Sequence, residues 1–390
     1  MPKKAGCDRN IAKGGNNVKF AVIGAGPAGL AMAGHLAILG QDVRVYGRDP
    51  EVVRGLAVGK QVVLRGAIEG VGSIQTASTR MEDVVPDTDA IIVVVPAQGH
   101  QTVAGLAAPY LRDGQIVLLM PGRTAGCLEF AHCLREANVK ANIELAESQT
   151  IIHTCRGVRG EGHVNILAVK RSVDVASLPS NRIARIIDFF RPLFPQLNPV
   201  EDTRVTGLGN VGAILHPAPA LFNLGRIETS ATSFRHYTDG ISPSVAKFLE
   251  RIDAERCEVA AALGVRVAST VDWLHTVYGT SGKDLYDCLQ ATEYYKTIQA
   301  PSTIEHRYLF EDVPTGLVPI SELGRACGVS TPFTDLIIEL ASRVLGRNFR
   351  VSGRNLIQLG LAKRRVEGIV DAFRRGIVFR TRSNRNTSRE

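Results

Sequence analysis

Two segments in the second half of the chain carry side chains suited to acid–base chemistry. The first contains His216, which ends an apolar segment and precedes Pro217. Proline disfavours helix at the residue before it, so His216 should lie where a chain segment ends or turns. An imidazole can both give and take a proton near neutral pH. A lone histidine is more often structural, and that interpretation stays open here.

The second segment, residues 305–319, places four charged residues and a histidine around two aromatic residues, followed by a turn rich in proline and glycine. An arginine in this setting, Arg307, could hold a carboxylate with both arms of its guanidinium. A carboxylate of the same cluster could orient a histidine. The alternative is a charged, solvated loop.

A third feature is a glycine turn between an expected strand, residues 18–23, and an expected helix, residues 30–39. It has the spacing G-x-G-x-x-G and consists of Gly24, Ala25, Gly26, Pro27, Ala28 and Gly29. The glycines permit a tight turn, a close approach to a pyrophosphate and close packing of helix on strand. The helix N-terminus offers free N–H groups to the phosphates. The turn predicts dinucleotide binding, with a purely structural turn as the alternative.

The residues after the second expected strand, 43–46, bear on which dinucleotide binds. Many FAD-binding proteins share the string Gly-Pro-Ala-Gly-Leu-Ala but place an acid there to hold the ribose hydroxyls. Here Gly47 and Arg48 follow the strand. An arginine suits a 2′-phosphate, which favours NADP over NAD. Asp49 keeps NAD possible, and Arg48 could also be an ordinary surface charge.

Alternating apolar strands and helices predict the fold that carries these residues. The pattern continues to about residue 204 and indicates an α/β Rossmann domain, a doubly wound parallel sheet, over residues 18–204. After that point helical spacing dominates, which predicts an all-α substrate domain over residues 205–378. The main expected elements are strands at 90–95, 116–120, 165–169 and 173–176 and helices at 103–111, 128–136, 182–190, 245–263, 330–345 and 355–373.

Composition narrows the function classes. A chain of 390 residues suits two domains, and its longest apolar run, residues 90–95, is far too short to span a membrane. The seven cysteines form no C-x-x-C pair, so no metal site is expected. Residues 1–17 read as a basic, disordered N-terminus without a secretory apolar segment, which favours the cytoplasm.

The formal charge of +8 is concentrated at the C-terminus. From residue 350 onward, eleven Lys and Arg residues face three acids, and residues 379–390 read as a basic tail. The tail has little aromatic interleaving and no binding motif, so we expect no nucleic-acid partner. A solvated helix followed by a disordered segment is the simpler interpretation.

Several separated motifs together resemble the octopine/nopaline (opine) dehydrogenases over roughly residues 18–345. They are the glycine turn, Val95-Pro96-Ala97-Gln98, Pro121-Gly122-Arg123-Thr124 followed by Leu128-Glu129-Phe130, the Asn210 and His216 segment, and Arg307-Tyr308 with Glu311-Asp312-Val313-Pro314. That family has a Rossmann domain and a helical substrate domain with the active site between them. Its members use NAD(P)H to join an amino acid to a 2-oxo acid.

The resemblance implies roles for individual residues. His216 would be the catalytic acid/base and Asp312 its partner. Arg307 would bind a substrate carboxylate, and Asn210 would belong to the substrate site near the nicotinamide. Pro96 would join the glycine turn in binding the cofactor. The partners would be small molecules, an amino acid and a 2-oxo acid, in a possible homodimer.

Three other classes remain as alternatives. Two-domain dehydrogenases of the ketopantoate-reductase or glycerol-3-phosphate type commonly use a lysine as acid/base, where this chain offers His216. A flavoprotein would need the missing acid after the second strand. A non-catalytic NADP-binding protein would share the glycine turn but have no use for His216, Arg307 and Asp312 together.

Overall fold

A computed structural model describes residues 17–157, 162–229 and 233–376. The expected basic N-terminus (but for Asn17) and the tail 379–390 lie outside these residues. The described strands are β1 (Lys19–Ile23), β2 (Asp42–Tyr46), β3 (Gln61–Gly66), β4 (Gly70–Ser73), β5 (Thr76–Ser78), β6 (Ala90–Val93), β7 (Ile116–Leu119), β8 (Glu144–Ser148), β9 (His153–Arg156), β10 (His163–Val169), β11 (Val173–Leu178) and β12 (Leu197–Pro199).

The described helices follow the same chain order. They are α1 (Pro27–Ile38), α2 (Pro50–Gly59), α3 (His100–Ala107), α4 (Gly126–Glu136), α5 (Ile183–Phe190), α6 (Thr203–Leu208), α7 (Gly212–Leu215), α8 (Pro217–Phe222), α9 (Leu224–Thr229), α10 (Pro243–Ala262), α11 (Thr270–Tyr278), α12 (Leu285–Ala291), α13 (Arg307–Phe310), α14 (Val318–Cys327), α15 (Pro332–Val344), α16 (Phe349–Ser352) and α17 (Val366–Arg375). A π-helical turn at 313–317 joins α13 to α14. No helix of the described residues is long and apolar enough to cross a lipid bilayer.

The main sheet has eight strands in the order β12-β11-β8-β7-β6-β1-β2-β5. Neighbouring strands of this sheet pair in parallel, except that β11 runs antiparallel to β8. Successive side chains of a strand point to opposite faces, and both faces of this sheet are buried. In β1, Ala21 and Ile23 join one core, whereas Phe20 and Val22 join the other. The predicted Rossmann domain is confirmed, and two of its strands, β11 and β12, run antiparallel to the others.

The two cores divide the molecule. On one face of the sheet, α1 and α5 pack together with strands of a second, smaller sheet. On the other face, α3 and α4 pack in a core that continues without interruption into the helices after residue 203. The predicted helical second domain is therefore confirmed, and its core is continuous with one face of the Rossmann sheet.

The second sheet was not predicted. It has the order β4-β3-β10-β9 and lies against α1. No element was expected for residues 50–89, and the strand expected at 165–169 lies within β10 of this second sheet. The contact between α1 and this sheet is close, since a Cβ atom on Gly72 would lie 2.6 Å from the Gly34 carbonyl oxygen.

The helix expected over residues 355–373 is wrong in its first half. Helix α17 begins only at Val366, and the preceding residues form turns. Gly360 and Lys363 adopt φ values of 65° and 63°, in the left-handed region, which a continuous helix does not allow. Leu359 and Leu361 are nevertheless fully buried, which explains why the apolar spacing resembled a helix.

Candidate active site

Strands β1, β6, β7 and β8 run in parallel, so the loops after them gather at one edge of the sheet. A cleft of about 410 Å³ opens there, between the Rossmann domain and the helices. Ligands of doubly wound folds bind at this edge of the sheet. The sequence-predicted residues that line the cleft are Gly26, Pro27, Ala28, Gly29, Pro96, His216 and Arg307.

The glycine turn has the geometry that the motif predicts. Gly24 adopts a φ of 130°, and a Cβ atom there would lie 2.3 Å from the Val94 carbonyl oxygen. A Cβ atom on Gly29 would lie 1.9 Å from the Gly24 carbonyl oxygen. Helix α1 begins at Pro27, and no side chain caps its first N–H groups. Those groups face the cleft and can donate to phosphate oxygens.

His216 and Asp312 form a dyad in the cleft wall. His216 lies between α7 and α8, as expected for a residue before proline. Its Nδ1 lies 2.7 Å from Oδ2 of Asp312, and its Nε2 lies 3.1 Å from the Tyr237 hydroxyl. Because the carboxylate can only accept, the network assigns the proton to Nδ1 and leaves Nε2 as the basic atom. The imidazole also stacks on Tyr308, with ring centroids 4.2 Å apart.

Burial and neighbouring charges set the protonation of the dyad. Burial lowers the pKa of His216 below its ordinary value, and the Asp312 carboxylate opposes this only in part. An adjacent carboxylate by itself raises the pKa of a histidine, and here burial outweighs that effect. Burial alone would raise the pKa of Asp312, but Arg123 and His216 hold it at about 2. The resting dyad is a neutral imidazole beside a charged carboxylate.

Arg123 is a site residue to which the sequence analysis gave no role. It follows β7 in a left-handed conformation with a φ of 61°. Its Nε lies 3.2 Å from Oε1 of Glu311, and its Nη1 lies 3.5 Å from Oδ1 of Asp312. Both carboxylates are almost fully buried. One guanidinium from the Rossmann domain therefore balances two carboxylates of the helical domain at the cleft. An arginine after the end of a parallel strand was the available signal.

Arg307 lies at the start of α13 and faces the cleft. Its side chain is 47% exposed, and its Nη1 lies 3.6 Å from Oε2 of Glu311. Glu311 also accepts a hydrogen bond from the backbone N–H of Ala97. Arg307 is therefore a positive group with donors left for a ligand.

Five predicted site residues are not among those that line the cleft, namely Gly24, Ala25, Arg48, Asn210 and Asp312. Asn210 is buried, and its Oδ1 accepts a hydrogen bond from Nη1 of Arg123 at 3.1 Å. This contact helps to position the Arg123 guanidinium. Its assignment to the substrate site stays a prediction. Arg48 is exposed after β2, next to Gly47, whose Cβ atom would lie 2.8 Å from that of Ala25 in the glycine turn.

Arg354 ties the helical domain to the loops of the Rossmann sheet. This side chain is 1% exposed and forms an ion pair of 2.7 Å with Glu129. It also donates to the carbonyl oxygens of Ala97, Gly122 and Thr124. These carbonyls belong to the two loops that follow β6 and β7. Arg354 thus fixes the loops that carry Pro96 and Arg123. This structural role was not predicted from the sequence.

Aromatic residues that the sequence analysis did not identify form one wall of the cleft. Tyr237, whose hydroxyl contacts His216, stacks on Tyr295 at a centroid distance of 4.0 Å. Tyr295 packs edge-on against Tyr278 at 5.5 Å, and Tyr278 against Trp273 at 5.6 Å. Burial raises the pKa of Tyr237 well above its ordinary value, so its hydroxyl stays protonated.

Comparison with known proteins agrees with this architecture. A family model for the NAD/NADP octopine/nopaline dehydrogenase alpha-helical domain matches residues 199–345. A model for the N-terminus of NAD-dependent glycerol-3-phosphate dehydrogenase matches residues 19–122. Octopine dehydrogenase, solved with NADH and L-arginine, superimposes with a TM-score of 0.71 at 19% identity, over 90% of this chain and 98% of that one. Its complex with NADH and pyruvate gives a TM-score of 0.71 at 20% identity, with the same coverage. Yersinopine dehydrogenase, solved with NADP+, gives a TM-score of 0.72 at 15% identity over 90% of this chain and 99% of that one.

These structural likenesses show the fold, and a sequence relative shows the family. Opine dehydrogenase of Arthrobacter sp. (strain 1C) is 39% identical over 360 residues, which cover 90% of this chain and 98% of the relative. The resemblance drawn from the separated motifs is thereby confirmed. The chain belongs to the octopine/nopaline (opine) dehydrogenase family of NAD(P)-dependent oxidoreductases.

Proposed function

We propose that the protein uses NADPH to join an amino acid to a 2-oxo acid, giving a secondary amine with two carboxylates. The observation that carries this proposal is the His216–Asp312 pair, 2.7 Å apart, in a cleft that the glycine turn and Arg307 also line. The cleft thus combines a dinucleotide turn, an acid/base and a carboxylate-binding group. The octopine dehydrogenase structures, with L-arginine or pyruvate, support these substrate classes.

His216 serves as the acid/base in this proposal. Condensation removes the three protons of the incoming ammonium: two go to the departing carbonyl oxygen, which leaves as water, and one returns to the imine nitrogen during reduction. The neutral imidazole takes the first proton at Nε2 and returns one to the oxygen. The charged Asp312 stabilises the imidazolium between these steps and keeps the ring oriented. The resulting imine accepts a hydride at carbon and a proton at nitrogen, and reduced nicotinamide supplies the hydride.

Arg307 binds a carboxylate of one substrate. Its guanidinium is half exposed in the cleft and is only loosely held by Glu311, at 3.6 Å. A planar fork with free donors suits a carboxylate, which can accept two parallel hydrogen bonds.

Arg48 gives the preference for NADP over NAD. It follows β2, where a Rossmann domain meets the adenosine ribose. Its charge is exposed there, beside the close contact between Gly47 and Ala25. Asp49, which would favour NAD, accepts a hydrogen bond from the backbone N–H of Glu51 at the start of α2. A positive group at this position attracts a 2′-phosphate.

The test is NADPH oxidation with pyruvate or 2-oxoglutarate, each alone and with a panel of L-amino acids. The proposal expects oxidation only when oxo acid and amino acid are both present, with a secondary amine as the product. Oxidation with the oxo acid alone would identify a hydroxy-acid dehydrogenase. NADPH binding without turnover under any pairing would indicate a non-catalytic NADP-binding protein.

A further inference from the structure

Lys170 is a buried ammonium in the wall of the cleft. It directly follows β10, and the residue is 5% exposed. Its Nζ donates to the Ile151 carbonyl oxygen at 2.9 Å and lies 3.5 Å from the Thr154 hydroxyl. No carboxylate of the described residues forms an ion pair with it. A buried charge without a counter-charge is costly, so an anion bound in the cleft would stabilise it.

A donor without an acceptor among the described residues lies on the same side of the cleft. The Thr154 hydroxyl is 3.3 Å from that of Tyr278, and Tyr278 packs edge-on against Trp273. Trp273 lines the cleft and is 5% exposed, and its indole Nε1–H has no acceptor among the described residues. An indole N–H can only donate. Among the described residues, the ammonium therefore lacks a counter-charge and the indole N–H lacks an acceptor, and a bound carboxylate would provide both.

The aromatic wall connects this region to the dyad. It runs from Tyr237, in contact with His216, through Tyr295 to Tyr278, with centroid distances of 4.0 and 5.5 Å. Tyr278 then contacts Thr154, which lies beside Lys170. A molecule that reacts at His216 and lies along this wall extends toward Lys170.

Among the described cations that line the cleft, Lys170 is buried and forms no ion pair. Arg123 is balanced by Glu311 and Asp312. Arg156 also lines the cleft but is exposed, so water solvates it. Arg307 is half exposed on the helical side and can hold one carboxylate.

We propose that Lys170, with the indole N–H of Trp273, binds the second substrate carboxylate, the one that Arg307 does not hold. This inference rests on the proposed function, whose product carries a carboxylate on each side of the new secondary amine. One carboxylate then faces the helical domain and the other faces the Rossmann domain. The two cations fix the reacting carbon and nitrogen between them, next to His216.

The test measures binding of 2,2′-iminodipropionate, the product skeleton from alanine and pyruvate, to the NADP+-loaded full chain by titration calorimetry. Lys170→Met removes the charged Nζ and keeps an unbranched side chain as long as the aliphatic part of lysine. Its affinity for the probe should fall about 10- to 100-fold, as expected for a lost charged hydrogen bond. The matched control Lys247→Met removes an exposed lysine of α10 and should leave the affinity unchanged. Trp273→Phe keeps a ring and loses the donor, so a smaller loss is expected.

A companion probe identifies which carboxylate Lys170 holds. N-ethyl-L-alanine keeps the amino-acid carboxylate and lacks the other. If Lys170→Met lowers the affinity for both probes equally, the lysine holds the amino-acid carboxylate. If only the affinity for 2,2′-iminodipropionate falls, Lys170 holds the oxo-acid carboxylate. Either result supports the proposal.

Three results overturn it: unchanged affinity for both probes in Lys170→Met, weaker NADP+ binding in that variant instead, or no binding of the dicarboxylate to the wild-type chain. The melting temperature of each variant, compared with that of the wild-type chain, reports whether the variant is folded. These outcomes are separate from a failure of the proposed function, which the turnover panel with amino acids and oxo acids detects by itself.

Discussion

Arg123→Met tests the charge balance on which the dyad depends. Arg123 is the cation between Glu311 and Asp312, whose side chains are 2% and 0% exposed. Removing one partner of a buried ion pair leaves an uncompensated charge and costs about 3–5 kcal/mol. The free energy of unfolding, from urea titration, should fall by about that amount. Arg325→Met is the matched control, because the Arg325 side chain is 58% exposed and its pair with Glu322 should contribute under about 1 kcal/mol.

The effect should also depend on pH in a defined direction. Arg123 is the main group that opposes burial and holds the pKa of Asp312 at about 2, below the ordinary 3.8. A carboxyl with a depressed folded pKa stabilises the protein above its unfolded pKa and loses this contribution as the pH falls through the folded value. Arg123→Met raises the folded pKa, so the stability gap to wild type should narrow below about pH 4. A variant no less stable than Arg325→Met would refute this account of the ion-pair network.

Three further outcomes are expected. Arg48→Asp should weaken NADPH binding about tenfold or more and narrow or reverse the preference over NADH, because an acid repels the 2′-phosphate; unchanged affinities for both cofactors would leave Arg48 a surface charge. Arg307→Lys keeps the charge but loses the fork, so KM for the oxo acid or the amino acid should rise on the order of tenfold while NADPH affinity holds; if neither KM moves, Arg307 contacts no substrate. Burial lowers the pKa of His153 and of His236 to about 3, against 6.5 when unfolded. Because the unfolded chain takes up these protons first, stability should fall below about pH 6.5 by up to about 1.4 kcal/mol per pH unit for each histidine; a melting temperature that stays flat from pH 7 to 5 would contradict this.

The features with a local signal could be predicted from the sequence. The glycine turn lies between a strand and a helix, so its spacing and its context occur within some thirty residues. The break at His216 follows from the proline after it. The pairing of His216 with Asp312 joins residues 96 positions apart, and the family resemblance, not spacing, suggested it.

The features missed depend on contacts between distant segments. Strand β4 reads Gly-Val-Gly-Ser and has no strand signal of its own, and the small sheet forms because β3 pairs with β10, a hundred residues later. Arg123 was present in a quoted motif, but Glu311 lies 188 positions away. Lys170 likewise becomes a candidate only when the aromatic wall of the helical domain lies beside it.

The turnover number of His216→Ala tests the central claim most directly. It should be measured with saturating NADPH, an oxo acid and an amino acid, well below the melting temperature, beside the control His163→Ala at an exposed histidine of β10. If His216 is the acid/base, kcat should fall on the order of 10²–10⁴-fold while NADPH affinity is kept, because the glycine turn lies in the other domain. A variant that melts at a lower temperature but turns over close to wild type would show that His216 only packs between the domains, and would contradict the account.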